Sequence, residues 1–216
     1  FTDVTQTVVH LRSQGIDCIL VSSGAIASGI GRLGLKARPR LLEQEQAAAA
    51  IGQIRLMGLY DRLFTGHDMP VAQILLTHGD LRDRKRFVCA RQTLNSVLAY
   101  GAVPIINEND TVAVEEIKFG DNDNLAAMIA ILMDADVLVT LTDMDGLYTK
   151  DPRNSSEAEL IPVVRVIRKS VEKMAGANPG ALGTGGMLTK IRAAKKVTAA
   201  GIPMIIAKGE QPDILT

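Results

Sequence analysis

The sequence predicts an α/β protein, a three-layer α/β/α sandwich built around a mainly parallel open sheet. Five short apolar runs suited to strands alternate with longer helical patterns along the 216 residues. The runs are continuously apolar rather than alternating, which is typical of strands that helices bury on both faces. Three layers follow because parallel strands need crossover helices, and these helices cover the two faces of the sheet.

The elements follow one another regularly from the first residues onward. The predicted strands are 17–23, 70–77, 102–107, 136–143 and 203–207. A helical pattern precedes each strand, and the longest runs from about Arg40 to Phe64. Two segments break the alternation: 110–120 predicts a half-exposed hairpin, and 146–164 is polar and rich in turn residues.

Composition excludes several classes of protein. Lys plus Arg and Asp plus Glu both number 24, so there is no basic surplus to neutralise the phosphates of a nucleic acid. No apolar run is long enough to cross a bilayer, so no membrane partner is expected. Cys18 and Cys89 show no metal-ligand spacing and predict two reduced thiols in a cytoplasmic protein, with no zinc-type metal site.

The most polar short segments follow the predicted strands. They read SSGA, NEND, TDMDG and AKG, and each begins where an apolar run ends. Ligands of open α/β sheets bind beyond the carboxyl ends of the strands. The sequence therefore places a ligand site at this edge of the sheet.

Two glycine-rich segments lead to different interpretations. GIGRLG (29–34) matches a dinucleotide fingerprint, but it lies several residues beyond the strand end, and we interpret its glycines as allowing close helix packing. GTGGMLTK (183–190) precedes a long helix and has Lys190 in the first turn. Backbone N–H groups, a helix N-terminus and a lysine together favour nucleotide phosphate, with a flexible loop before a capped helix as the alternative.

A cluster of polar residues opens the helix before the fourth strand. GDNDN (120–124) contains two aspartates and two asparagines, whereas capping accounts for one residue or two. The segment Asn107–Asp110 is similarly polar, and a short hairpin separates the two. Amides can donate to a carboxylate and Asp can accept from an ammonium group, so the surplus residues predict a zwitterionic substrate and oriented catalytic cations.

Together these motifs resemble the amino-acid kinase family, and within it the bacterial enzymes that phosphorylate glutamate. The resemblance rests on VSSGAIASG, AAAAIGQIRLM, INENDTVA, EIKFGDNDNLAA, VTLTDMDGLYTKDPR and ALGTGGMLTK, in this order across nearly the whole chain. It implies transfer of the ATP γ-phosphate to the γ-carboxylate of L-glutamate, the first step of proline biosynthesis. It also implies Mg²⁺ as the cation of ATP and feedback inhibition by proline.

The resemblance implies a role for each residue that matches a family motif. Ser23, Asp110 and Asn122 would bind glutamate, and Gly24 would offer its N–H to the transferring phosphoryl group. Lys190 would stabilise that group, and Asp123 would orient the catalytic lysines. The implied ATP-binding residues are Thr142, Asp143, Thr184, Gly185, Gly186, Met187, Leu188, Thr189 and Lys190.

The resemblance also implies how the chain relates to the family. Residues 1–216 are expected to form one amino-acid kinase domain that lacks the family's N-terminal strand with its lysine and glycine loop, its last strands and the C-terminal accessory domain. The alternatives are a truncated core that binds glutamate or proline without catalysis, another member of the family, a kinase domain of a bifunctional enzyme, and an NAD-dependent oxidoreductase. The last depends only on GIGRLG.

A homo-oligomer, either a dimer or a tetramer, is expected by the same resemblance. The long alanine-rich pattern at 41–60 is suited to a subunit interface. A helix buried within one subunit would give the same pattern.

Overall fold

The structure, a computed structural model, describes residues 1–113, 122–176 and 186–210. These residues belong to two compact units, with 1–113 in the first and the remainder in the second. Each unit has parallel strands alternating with helices, so the predicted α/β class is confirmed. No helix in the described part of the chain is both long and apolar enough to span a membrane.

The first unit contains a three-stranded parallel sheet in the order β1-β3-β2. Its elements are α1 (Thr2–Ser13), β1 (Leu20–Val21), α2 (Ala25–Leu33), α3 (Leu42–Thr65), β2 (Val71–Leu76), α4 (His78–Arg82), α5 (Arg84–Ala99) and β3 (Val103–Glu108). Val71 pairs with Val103 and Leu76 with Glu108. Because all three strands are parallel, their carboxyl ends meet at one edge of the sheet.

The core of the first unit lies between β3 and two helices. Val103 and Ile105 of β3 pack with Val8 of α1 and with Leu56 and Phe64 of α3. Every residue of β3 is buried, as expected of a strand covered on both faces. The strand predicted at 17–23 is much shorter in the structure, because only Leu20 and Val21 pair with β3.

Helices α2 and α3 touch through their backbones. A Cβ on Gly29 would lie 1.8 Å from the carbonyl oxygen of Ala48, and a Cβ on Gly52 would lie 1.8 Å from that of Ala25. Only glycine fits at such distances. The packing interpretation of Gly29 is therefore confirmed, and α2 runs through Gly31 without leaving a dinucleotide-binding loop.

The second unit contains a two-stranded parallel sheet. Its elements are α6 (Asn122–Met133), β4 (Leu138–Thr142), α7 (Lys169–Gly176), α8 (Met187–Ala199) and β5 (Met204–Lys208). Leu138 pairs with Met204, and Thr142 pairs with Lys208. A small apolar core lies between α6, α8 and the sheet, and its buried members are Ala127, Ala130, Ala193, Val197 and Ile202.

The two segments that break the sequence pattern have different outcomes. Residues 146–164, predicted to be rich in turns, form no helix or strand and contain one antiparallel bridge between Tyr148 and Leu160. The hairpin predicted at 110–120 falls mostly in 114–121, outside the described residues. The short helices α4 and α7 were not predicted. Cys18 and Cys89 are both free thiols.

Candidate active site

Ser23 and Gly24 lie at the carboxyl edge of the first sheet, directly after β1. The strand's hydrogen bonding continues one residue further, since the Ser22 N–H donates to the Ile106 carbonyl over 2.8 Å. Gly24 has φ of 105° and is the N-terminal cap of α2. A side chain would strain this left-handed backbone, so glycine is required where the chain turns from strand into helix.

Asp110 lies at the same edge, in the turn that follows β3. The turn is anchored to β2, because the Asn109 N–H donates to the Leu76 carbonyl over 3.0 Å. Burial raises the pKa of Asp110 to about 6, against the opposing effect of Arg38 and with a further increase from Glu45. Arg38 contacts Glu45 at 2.5 Å, so its charge is shared between two carboxylates.

In the second unit, Asp123 and Lys190 form an ion pair. The Lys190 Nζ lies 3.1 Å from Oδ2 and 3.3 Å from Oδ1 of Asp123. The two side chains are only 12% and 13% exposed, so water screens this pair less than it screens a surface pair. The sequence-predicted partnership of Asp123 with a lysine is present in the structure.

The hydroxyl of Thr189 holds the other side of this pair. Its Oγ1 lies 2.6 Å from Oδ2 of Asp123 and 2.7 Å from the Gly186 carbonyl, and it accepts from the Gly186 N–H over 3.2 Å. The single hydroxyl proton serves one acceptor at a time, and an ionised carboxylate is the stronger acceptor. Thr189 therefore joins the start of α8 to Asp123.

The packing of α6 against α8 explains why Asp123 reaches Lys190. The facing residues Ala127, Ala130 and Ala193 are small, which lets the two helix axes approach closely. Both helices precede parallel strands, so their N-termini lie near the carboxyl ends of β4 and β5. Asp123 and Lys190 stand in the first turns of those helices.

Thr142 and Asp143 end β4 at this edge of the second sheet. The Thr142 hydroxyl donates to Oδ1 of Asp143 over 3.1 Å, and the Thr142 carbonyl accepts from the Gly209 N–H over 2.8 Å. Lys208 pairs with Thr142 in register, so a cation ends the neighbouring strand. Side chains that can bind ribose and phosphate therefore lie side by side here.

The predicted phosphate loop is described only in part. Thr184 and Gly185 lie outside the described residues. Gly186 caps α8, and the side chains of Met187 and Leu188 pack against a hydrophobic cluster that includes Leu147, Ala175 and Ile191. Any contact of Met187 or Leu188 with phosphate is therefore left to main-chain N–H groups at the helix N-terminus.

The polar cluster at the start of α6 contacts the neighbouring helix α8. Asn122 is the first residue of α6, Asp123 accepts from Lys190 and Thr189, and Asn124 accepts from Lys196 of α8. Asp121 lies outside the described residues. Two of the four polar side chains are thus used to hold a neighbouring helix.

Several residues at these two sheet edges were not predicted from the sequence. Arg38 and Glu45 are seven positions apart and became neighbours of Asp110 only in the fold. His78 and Glu108 are buried together, with Nδ1 and Oε2 3.6 Å apart. Gln53 belongs to the motif AAAAIGQIRLM and accepts from Asn107. The spacing of polar residues along α3 was the signal that could have found Gln53.

Comparison with known proteins gives a consistent result. The family model described as amino acid kinase family matches residues 1–208. A protein named glutamate 5-kinase from Carboxydothermus hydrogenoformans is 54% identical over 200 residues, covering 93% of this chain and 54% of the relative. One of the same name from Geobacter sulfurreducens is 50% identical over 212 residues, covering 98% and 57%. The chain thus spans about half the length of these curated relatives.

A solved structure shares the fold at low sequence identity. Isopentenyl phosphate kinase superimposes with a TM-score of 0.60 over 98% of this chain and 82% of its own, at 14% identity. The structural similarity supports a shared fold, whereas 14% sequence identity carries no argument about the substrate.

Proposed function

The chain belongs to the amino acid kinase family, and from this premise we propose that it transfers the γ-phosphate of ATP to the γ-carboxylate of L-glutamate. The product would be γ-glutamyl phosphate, at the first step of proline biosynthesis. The observation that carries the proposal is the partly buried contact of Lys190 and Thr189 with Asp123. The relatives named glutamate 5-kinase support the choice of glutamate.

The proposed chemistry needs positive charge and positioning. A carboxylate is already ionised near neutral pH, so no base has to remove a proton from the attacking group. The reaction instead requires two anions to be held together while charge on the transferring phosphoryl group is neutralised. Lys190 would supply that charge, and Asp123 would fix the direction of its ammonium group.

Glutamate would be bound by residues of complementary charge and hydrogen-bonding capacity. Asp110, once ionised, would accept from the α-ammonium group, while Ser23 and Asn122 would donate to the carboxylate. The Gly24 N–H, at the N-terminus of α2, would meet developing negative charge.

ATP would be held by the second unit. Thr142 and Asp143 would contact its ribose or phosphates, and the segment Thr184–Lys190 would place N–H groups against the phosphates. Among residues 1–113, 122–176 and 186–210, no three His, Cys or acidic side chains lie close enough to hold a metal. Mg²⁺ would therefore be bound mainly by phosphate oxygens and water, where it would draw charge from the phosphates.

The regulatory and assembly parts of the proposal rest on family resemblance. We propose feedback inhibition by proline, a homo-oligomer of two or four chains and a cytoplasmic location. A proline titration of the activity tests the inhibition, and light scattering tests the oligomeric state.

Glutamate-dependent release of ADP tests the proposed function. We expect ADP release with Mg-ATP to require glutamate and to fall by about two to three orders of magnitude in Asp123→Ala, because Lys190 loses its anchor. Asp136→Ala, which changes an exposed aspartate of the same unit, is the matched control and should keep full activity. ADP release that is indifferent to glutamate would contradict the proposal.

A further inference from the structure

Helix α3 carries a line of three polar side chains, Gln46, Gln53 and Tyr60, which we call the α3 polar stripe. They are seven residues apart, so they lie on one face of the helix at intervals of two turns. The rest of that face packs into the apolar core, as the burial of Leu56 and Phe64 shows.

Each member of the stripe contacts a segment at the carboxyl edge of the first sheet. Gln46 Nε2 donates to the Ala113 carbonyl over 3.0 Å. The Tyr60 hydroxyl lies 3.0 Å from Oγ of Ser22, immediately before Ser23. Gln53 Oε1 accepts from Asn107 Nδ2 over 2.9 Å. One helix face therefore contacts two of the three segments that are proposed to bind glutamate, those of Ser23 and Asp110.

The contact made by Gln53 leads directly to the turn that carries Asp110. Asn107 is only 2% exposed, and its Oδ1 accepts from the Glu108 backbone N–H over 2.9 Å. A buried relay thus runs from the Gln53 amide through the Asn107 amide to the backbone at the end of β3. Because β3 ends there, this relay contacts the chain at the point where it leaves the sheet towards Asp110.

The relay is not explained by packing alone. Gln53 is 8% exposed, and its Nε2 has no hydrogen-bond acceptor among the residues that the structure describes. An unpaired buried donor lowers stability, and an apolar side chain of the same size would avoid that loss. A buried polar group without a partner calls for an explanation, and a functional role is one of them.

We propose that Gln53 is a positioning residue of the glutamate site, acting through Asn107 on the segment 107–113. This inference rests on the proposed function and deepens it, because it adds a residue of α3 to the determinants of substrate affinity. Gln53 does not itself act on the reacting atoms. Its loss should therefore change the affinity for the carboxylate substrate and leave the nucleotide site as it was.

The test compares Gln53→Met with Ile105→Val in the full chain. Methionine has a similar volume and removes both the acceptor and the unpaired donor, whereas Ile105→Val removes one methyl group from the core face of β3. In Gln53→Met we expect the KM for glutamate to rise about tenfold or more and the KM for ATP to stay within about twofold. In Ile105→Val both constants should stay unchanged.

Hydrogen exchange provides a measurement that does not depend on the substrate. Backbone amides of 107–113 should exchange faster in Gln53→Met than in Ile105→Val, while those of β2 should not differ. If Gln53→Met does not fold, Gln53→Asn replaces it, since that change keeps a buried amide but draws it away from Asn107.

The outcomes separate the two proposals. A wild-type protein without glutamate-dependent ADP release would overturn the proposed function, and the exchange rates would then decide the positioning role alone. An unchanged glutamate KM in an active Gln53→Met, or equal exchange of 107–113 in the two variants, would overturn the role of Gln53. Parallel loss of affinity for both substrates would also overturn it, as it indicates general destabilisation.

Discussion

At the scale of single residues, Lys190 depends on its neighbours for its position. Its long side chain has many rotamers, and the Asp123 carboxylate selects those that bring Nζ within 3.1 Å. Thr189 in turn fixes the carboxylate from the other side. Under the proposed function, the ammonium group is thus placed before ATP arrives, which is the condition for effective charge stabilisation.

Replacement of Thr189 tests this dependence. Thr189→Val keeps the shape of the side chain but removes the hydroxyl, so we expect kcat to fall between about 10- and 100-fold. Thr189→Ser keeps the hydroxyl and should retain most of the activity. Steady-state rates with saturating ATP and glutamate distinguish the two variants. Equal activity in Thr189→Val and wild type would show that Asp123 needs no such support.

The pH dependence of glutamate use depends on Asp110. Burial raises the pKa of Asp110 to about 6, and the ionised form is the one proposed to accept from the α-ammonium group. The value of kcat/KM for glutamate should therefore fall as the pH is lowered through about 6. This acidic limb of the pH profile reflects ionisation of a group in the free enzyme. In Asp110→Asn, kcat/KM should be low at every pH and this limb should be absent.

The same pKa gives a stability control with a definite sign. The folded protein holds the Asp110 proton more tightly than the unfolded chain does, so ionisation between the unfolded value and about pH 6 lowers stability. Asp110→Asn should accordingly melt no lower than wild type at pH 8. A large drop in melting temperature at pH 8 would mean that Asp110 serves the fold rather than the substrate.

The sequence indicated a residue of the candidate site only where that residue belongs to a recognisable motif. Motif patterns indicated the segments that contain Ser23, Asp123 and Lys190, and the family resemblance assigned their individual roles. Gln53 and Arg38 were not singled out, because their relation to Asn107 and Asp110 crosses from one element to another. Such relations depend on how α3 packs, and the sequence does not display that packing.

At the scale of elements, α2 and α3 pack with their backbones in close contact. Among the described glycines of the first unit, Gly29 and Gly52 leave the least room for a Cβ atom. Gly52 lies against the backbone of Ala25, at the first turn of the helix that Gly24 opens. The separation of these two helices therefore affects the position of the Gly24 N–H. We expect Gly29 and Gly52, rather than side-chain packing, to set this separation.

Alanine at Gly52 should destabilise the protein. Its Cβ would lie 1.8 Å from the Ala25 carbonyl oxygen and 2.5 Å from the Gly29 nitrogen, so the helices must move apart, at a cost of about 1–3 kcal/mol or more. Gly58→Ala on the same helix is the control, since the nearest atom to its new Cβ would be a side-chain nitrogen of Arg62, 3.7 Å away. That change should stabilise by roughly 0.5–1 kcal/mol. Denaturant unfolding of both variants measures the difference, and similar stabilities would contradict the account.

Element prediction succeeded where apolar runs were long and failed where they were short. The strand predicted at 102–107 was found because its run AVPII is continuously apolar, and all six residues of β3 are buried in the structure. The β1 strand was predicted too long, because Cys18 and Ile19 are apolar without pairing to β3. The short helix α4 was missed, although Thr77 and Asp80 form a reciprocal capping box at its start.

At the scale of the whole molecule, each of the two units has its own proposed chemical task. Under the proposal, the first unit contributes Ser23 and Asp110 to glutamate binding and the Gly24 N–H to the developing charge. The second unit contributes Asn122 to glutamate binding, and it binds ATP and supplies Lys190. Family membership is shown for residues 1–208, whereas the reaction itself is a proposal. The decisive question is whether an acyl phosphate of glutamate is formed.

Trapping with hydroxylamine answers that question most directly. An acyl phosphate reacts with hydroxylamine to give a hydroxamate, which is measured by its coloured iron complex. We predict hydroxamate that requires both ATP and glutamate and that falls by about two to three orders of magnitude in Lys190→Met, which loses the charge-stabilising ammonium group. ATP turnover without any hydroxamate, or undiminished hydroxamate in Lys190→Met, would contradict the central claim.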